Sequence, residues 1–163
     1  MSVTVEYYNN YLYKYMTMAQ KGKYTVRNRN KYVGKVDSVV YRSSWERRFM
    51  VWCDNNPSVV AWNSEEVVIS YYSPVDNKMH KYYVDFLIKT RDSEGTFKHT
   101  LIEVKPEKQC KPPVMGKTKK SKYRYLRELK TWKVNEAKWK EANEFCLDRK
   151  WEFKILTEKH LMP

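Results

Sequence analysis

The chain has little of what several function classes require. Four glycines in 163 residues leave no glycine-rich loop that could cradle nucleotide phosphates. The three cysteines, Cys53, Cys110 and Cys146, are odd in number, far apart and without a C-x-x-C pair. That pattern argues against a disulfide framework and a zinc knuckle, and the thiols read as reduced bystanders. His80, His99 and His160 are too few and too scattered for an H-E-x-x-H or HNH-type metal site. No apolar run approaches a membrane span, and the N-terminal "MSVTVEYYNNYLYKYMTMAQ" lacks the continuous apolar stretch of a secretion signal. A soluble, intracellular protein is expected.

What is present points elsewhere. A content of 42% apolar and 15% aromatic residues is too rich for disorder and suits one folded domain. The chain carries 32 Lys+Arg against 19 Asp+Glu, a net +13. A domain this basic usually meets a polyanion, with nucleic acid ahead of an anionic membrane surface.

Residues 1–40 read as an extension, partly helical, with a weakly amphipathic stretch around Val5 to Met18 and then the basic "KGKYTVRNRNKYVGK". Residues 41–163 read as the principal domain. In "YRSSWERRFMVWCDNNP", Ser43 followed three residues later by Glu46 is a capping box, and Phe49, Trp52 and Cys53 continue an apolar face. A helix from about Ser44 to Asp54 is predicted, ended by Asn-Asn-Pro. "VVAWNSEEVVISYY" then predicts a short extended piece and a strand, followed by the turn "SPVDNK", a strand around Asp85, the turn "DSEG" and a last strand, "FKHTLIEVK". Two successive hairpins would make three neighbouring antiparallel strands. Beyond Pro106 the lysine-rich "KPEKQCKPPVMGKTKKSKYRYLRELK" leads into a helix from near Lys119 to about Lys150. Leu129, Trp132, Trp139, Cys146 and Leu147 fall near one face of it. "WEFKILTE" closes as an added strand.

The chemistry lies in the apolar strands. "KYYVDFLIKT" carries the lone carboxylate Asp85 where an unpaired charge costs several kcal/mol to desolvate. "HTLIEVKPEK" carries Glu103 and Lys105, which as residues two apart in a strand share a face. Hairpin register brings Asp85 next to Glu103, with Tyr83 and Leu87 on the face of Asp85. Two carboxylates this close repel unless a cation lies between them, and oxygen ligands select a hard divalent ion, Mg²⁺ or Mn²⁺. The bland alternatives are an exposed Glu-x-Lys pair, an Asp85 matched by Arg42 or Lys81, a Glu46 that only caps its helix, and surface positions for Glu65 and Glu66.

The order α-β-β-β-α-β with Asp85 and Glu103-Val104-Lys105 resembles the PD-(D/E)xK nuclease core, the restriction-endonuclease-like fold, an α/β (α+β) architecture with a mixed sheet. Over about Tyr32 to Lys111 the chain also resembles the head completion nucleases of T-even-type tailed phages, themselves similar to TnsA-like endonucleases. The resemblance implies a Mg²⁺-dependent endo- or exodeoxyribonuclease, with Mn²⁺ as a substitute. Glu46, Asp85 and Glu103 become its metal-binding acids and Lys105 its catalytic lysine. It further implies packaged phage DNA as substrate, head or neck proteins as partners, and a place in the host cytoplasm during assembly or in the virion head. Val84 stands where the name-giving proline would be, and Glu103 where TnsA-like enzymes carry Gln. The cations Lys117, Lys119, Lys120, Lys122 and Arg124, in the densest positive patch of the chain, are expected to hold DNA, with the basic stretch Lys21 to Lys35 as the other candidate surface. A DNA-binding head protein that keeps the nuclease fold, with cleavage incidental, is the competing expectation.

Overall fold

The computed structural model describes residues 21–161; the amphipathic stretch Val5 to Met18 lies outside them. Its centre is a four-stranded mixed sheet in the order β3-β6-β7-β8. These strands are β3 (Val59–Ser64), β6 (Phe86–Arg91), β7 (Phe97–Val104) and β8 (Glu152–Leu156). β6 runs antiparallel to both β3 and β7, and β8 lies parallel to β7. A parallel pair needs a long crossover, which α2 (Lys119–Leu147) supplies.

The expected order α-β-β-β-α-β is therefore present in the sheet and its helices, but the hairpins are arranged differently. β4 (Val68–Ser73) and β5 (Lys78–Tyr83) form a separate two-stranded ribbon, inserted between β3 and β6. The run expected as one strand around Asp85 is broken there. β5 ends at Tyr83, β6 begins at Phe86, and Val84 and Asp85 are the step from one sheet to the other. Val84 N–H donates to Val67 O at 3.0 Å, so the ribbon keeps this backbone bond while the chain turns away.

The alternation of each strand sends its side chains to two cores. On one face α1 (Ser44–Asn55) lays Phe49, Met50 and Cys53 against Phe86, Ile88, Ile102 and Val104. On the other, α2 and the ribbon enclose Leu101 with Tyr71, Tyr82, Ala142 and Cys146. α1 starts where expected because the Ser43 side chain accepts from Glu46 N–H, and it ends one residue past expectation, at Asn55. α2 starts at Lys119, but its buried face is Asn135, Trp139, Ala142 and Cys146. Leu147, expected inside, is 75% exposed, because residues at spacings of three and four from Asn135 pass Cys146 and leave Leu147 turned outward.

The segment before α1 packs along the edge of β3. Short strands β1 (Gly22–Lys23) and β2 (Val40–Tyr41) pair with each other. Tyr32 bridges Trp62, and Tyr24, Val26, Tyr32 and Val39 are buried with the first core. Tyr24 donates its hydroxyl proton to the buried Asp54 at 2.7 Å. A four-residue helix, α3 (Glu158–Leu161), follows β8 and contacts α1.

Candidate active site

The break between β5 and β6 places Asp85 at the margin of the central sheet, and three hydrogen bonds donated by backbone amides fix it there. Glu65 N–H donates to Asp85 O at 3.2 Å, Val104 N–H donates to Asp85 Oδ2 at 2.7 Å, and Val84 is held as described above. The register Phe86↔Ile102, continued by one residue, sets Asp85 across from Glu103. Asp85 and Glu103 therefore meet as the sequence predicts, at a sheet junction and not in the middle of a strand.

Glu103 is buried, 2% exposed, on the face that points to α2. Both its oxygens are engaged. Lys105 Nζ lies 2.7 Å from Oε1, and Tyr82 donates its hydroxyl to Oε2 at 2.6 Å. The tyrosine on this face is Tyr82; Tyr83, expected beside Asp85, is 52% exposed. The strand break changes the alternation and makes the exchange. Lys105 is held in place through its backbone as well, since its N–H donates to Leu156 O of β8 at 2.9 Å.

The electrostatics follow from burial and crowding of like charges. Burial, then the neighbouring Glu103, pushes the Asp85 carboxyl well above the ordinary aspartate range, and Lys105 and the Val104 amide only partly oppose them. Burial alone would lower the Lys105 ammonium, but Glu103 and Asp85 outweigh it and hold its pKa above the ordinary lysine value. Lys105 is thus a permanent cation at neutral pH. Tyr82 is raised by burial and then by Glu103, so it stays a hydrogen-bond donor.

Glu46 caps its helix and also lies beside the acid cluster. Its Oε1 accepts from Ser43 Oγ at 2.9 Å and its Oε2 from Arg42 N–H at 2.8 Å, which is the capping function. The same carboxyl is raised by burial and senses both Glu65 and Lys105, so it borders the acid cluster. Among the described residues no three His, Cys, Asp or Glu side chains converge at metal-binding distance. The donor set nevertheless fits a hard cation. Asp85, Glu103 and Glu46 offer only oxygen, and Asp85 is raised by burial first and then by the neighbouring Glu103, with Lys105 opposing only in part.

Several side chains close to the acid cluster escaped sequence reasoning. Glu65, expected on the surface, turns its backbone into the left-handed region at φ 56°, uncommon for a residue with a side chain. It forms a two-pronged ion pair with Arg42 at 2.9 and 3.1 Å. Arg42 pairs with Glu65 and not with Asp85, and Lys81 forms no ion pair among the described residues. Lys138 of α2 is half-buried beside the rings of Tyr71 and Tyr82, 5.6 and 5.4 Å from their centroids. Burial and then Lys105 lower its pKa, while Glu103 and Asp85 raise it. It has no carboxylate within ion-pair reach among the described residues. A lysine at helical spacing from Asn135 was its only sequence signal, and the tryptophans around it drew the reading to the core.

The lysine-rich cluster stands apart from these groups. Lys117, Lys119, Lys120, Lys122 and Arg124 are all exposed at the start of α2. No acidic residue occupies the first turn there, so the helix N-terminus adds to the charge of its cations, of which Arg124 has Glu128 at 4.0 Å. Along the helix axis Lys120 and Lys138 are about 27 Å apart at 1.5 Å per residue.

The family model for TnsA-like endonuclease N terminal matches residues 56–158, a span that holds Asp85, Glu103, Lys105 and Lys138 and leaves out Glu46. The chain is also similar to the head completion nuclease of Enterobacteria phage T4, at 40% identity over 146 residues, 88% of this chain and 95% of that protein.

Proposed function

Because the chain belongs to the TnsA-like endonuclease family, we propose that it is a divalent-metal-dependent DNA nuclease that processes packaged DNA during phage head completion. The observation that carries the reading is the Asp85, Glu103 and Lys105 constellation at one sheet junction, with Glu46 at its border. Asp85, Glu103 and Glu46 would hold a Mg²⁺ ion, replaceable by Mn²⁺, which when bound would supply Lewis acidity toward phosphate and water.

The chain's own residues do the rest. Asp85 is oriented by the Val104 amide, and Glu103 by Tyr82 and Lys105. Lys105, cationic throughout the neutral range, meets the charge that develops on the phosphoryl oxygens as water adds to phosphorus and the bond to the leaving sugar oxygen breaks. Lys138, a half-buried ammonium without a carboxylate partner, is the second cation for that phosphate. The exposed cluster from Lys117 to Arg124 grips the backbone farther along the duplex and adds sequence-independent affinity. Head or neck proteins are the partners this place in assembly calls for.

The test is plasmid cleavage by purified protein with Mg²⁺, with EDTA, and by the Lys105→Ala variant. Cleavage that needs both Mg²⁺ and Lys105 is expected. Cleavage that survives the loss of either sinks the assignment of this site.

A further inference from the structure

A cavity of about 280 Å³ lies between the segment that follows β7 and the middle of α2, lined by Lys108, Arg127, Thr131, Trp132 and Asn135 among others. Its size is at the small end of the range for ligand sites, about 300–1,000 Å³. One planar ring fits such a space, and a base-paired duplex does not. Asn135 is only 5% exposed, and its Nδ2 is shut from solvent with no hydrogen-bond acceptor among the described residues. A buried amide donor without a partner is unfavourable, and a turn of the Asn135 side-chain amide toward the cavity would offer it an acceptor there. Lys108, Lys111 and Arg127 outnumber Glu128, the carboxylate that also lines the cavity, and Lys108 and Arg127 have no ion-pair partner among the described residues, so the rim carries a net positive charge. Trp132 supplies an aromatic wall and is set at a T-shaped angle to Trp139, ring centroids 5.9 Å apart.

The cavity adjoins the acid cluster by two routes. Lys108 is three residues past Lys105, and Asn135 is one helical turn before Lys138, whose ammonium senses Lys105, Glu103 and Asp85. On α2 the residues Lys120, Arg124, Arg127, Thr131, Asn135 and Lys138 follow one another at spacings of three and four and so share a stripe. That stripe leads from the exposed cations through the cavity to the site. A flat ring, a hydrogen-bond acceptor on its edge and an attached anion together describe a nucleotide whose base is not paired.

We infer that this cavity is a subsite for one unpaired nucleotide of the DNA strand being cut, with the base against Trp132, its edge at the Asn135 amide and its phosphate between Lys108 and Arg127. The inference deepens the nuclease reading and rests on it. It adds that the protein engages frayed or single-stranded DNA next to the cut.

The test is binding of a fluorescent single-stranded oligodeoxynucleotide in EDTA, where no cleavage occurs, compared with a blunt duplex of the same sequence. Trp132→Ala should weaken single-strand binding by about 5- to 150-fold, the ~1–3 kcal/mol of one stacked base at ~1.4 kcal/mol per tenfold. Trp132→Phe should restore most of it, and blunt-duplex binding should stay within about twofold, since a paired base cannot enter to stack. Arg127→Ala, an exposed change that spares the core, should lower the slope of log K against log salt by about 0.7 on the single strand. That second variant decides the matter if Trp132→Ala does not fold. Single-strand affinity and salt slope left at wild-type values would overturn the subsite. Plasmid cleavage by the wild type is read separately, so failure of the nuclease reading is distinguishable from failure of the subsite.

Discussion

Tyr82 donates its hydroxyl to Glu103 at 2.6 Å, which ties the β4–β5 ribbon to the carboxylate of the central sheet. Tyr82→Phe removes that donor and leaves the ring. Hydrogen bonds to charged groups contribute about 1.5–3 kcal/mol, so the melting temperature should fall and kcat should drop about tenfold. If Tyr82→Phe matches the wild type in both readouts, the tie has no role.

Asp85 sets a pH dependence whose sign follows from its raised pKa. The fold favours the neutral carboxyl, so the stability from this group is complete below about pH 3.9, the unfolded value, and is lost as pH rises through the raised folded value. In metal-free buffer Asp85→Asn should therefore melt higher than the wild type at neutral pH and abolish cleavage. Mg²⁺ should raise the wild-type melting temperature and leave that of Asp85→Asn unmoved. A variant that melts lower at neutral pH would make the carboxylate a structural group.

Glu46→Gln separates capping from chemistry. The amide can accept from Arg42 N–H through its oxygen and donate to Ser43 through its nitrogen, so the cap survives. Melting within a few degrees of the wild type and activity down by about 10²-fold or more are expected, the scale of losing a charged ligand. A fully active variant would leave Glu46 as a cap alone.

Lys138 should reveal itself at alkaline pH. Its pKa is lowered, by burial first and then by Lys105, so its positive charge and the activity that needs it are lost as pH rises through that lowered value. Lys138→Met should cost about tenfold or more in kcat/KM. Lys138→Arg should keep activity and flatten the alkaline decline, because a guanidinium does not titrate there. An alkaline limb unchanged in Lys138→Arg would assign the decline to another group.

The exposed cluster should act on affinity alone. Neutralising Lys117, Lys119, Lys120 and Lys122 in a Lys105→Ala background removes up to four phosphate contacts, each about 0.9 in the slope of log K against log salt on duplex DNA. Binding should weaken and its salt dependence flatten. An unchanged slope would move the duplex surface to the basic stretch from Lys21 to Lys35.

Legibility in the sequence followed the range of the interactions. The capping box at Ser43 and Glu46 and the Glu103-x-Lys105 face are local patterns, and both stand in the structure as read. The hairpin arithmetic failed at Val84 and Asp85, because an apolar run gives no sign that its two halves pair in different sheets. For the same reason Tyr82 replaced Tyr83 at the site. Glu65 was passed over as a surface acid because its role depends on a left-handed backbone turn and on Arg42, 23 residues away in the chain. Lys138 reaches the acids from a helix, and only tertiary packing brings it there.

The parallel pairing of β7 with β8 also orders events in time. The backbone of Lys105 is clamped by Leu156, so a nascent chain on the ribosome carries every acid and both lysines of the site before it owns the strand that holds one of them. Translation through β8 must precede closure of the sheet, as for any parallel strand reached by a long crossover. The clamp on Lys105 is thus among the last contacts that synthesis allows the sheet to make.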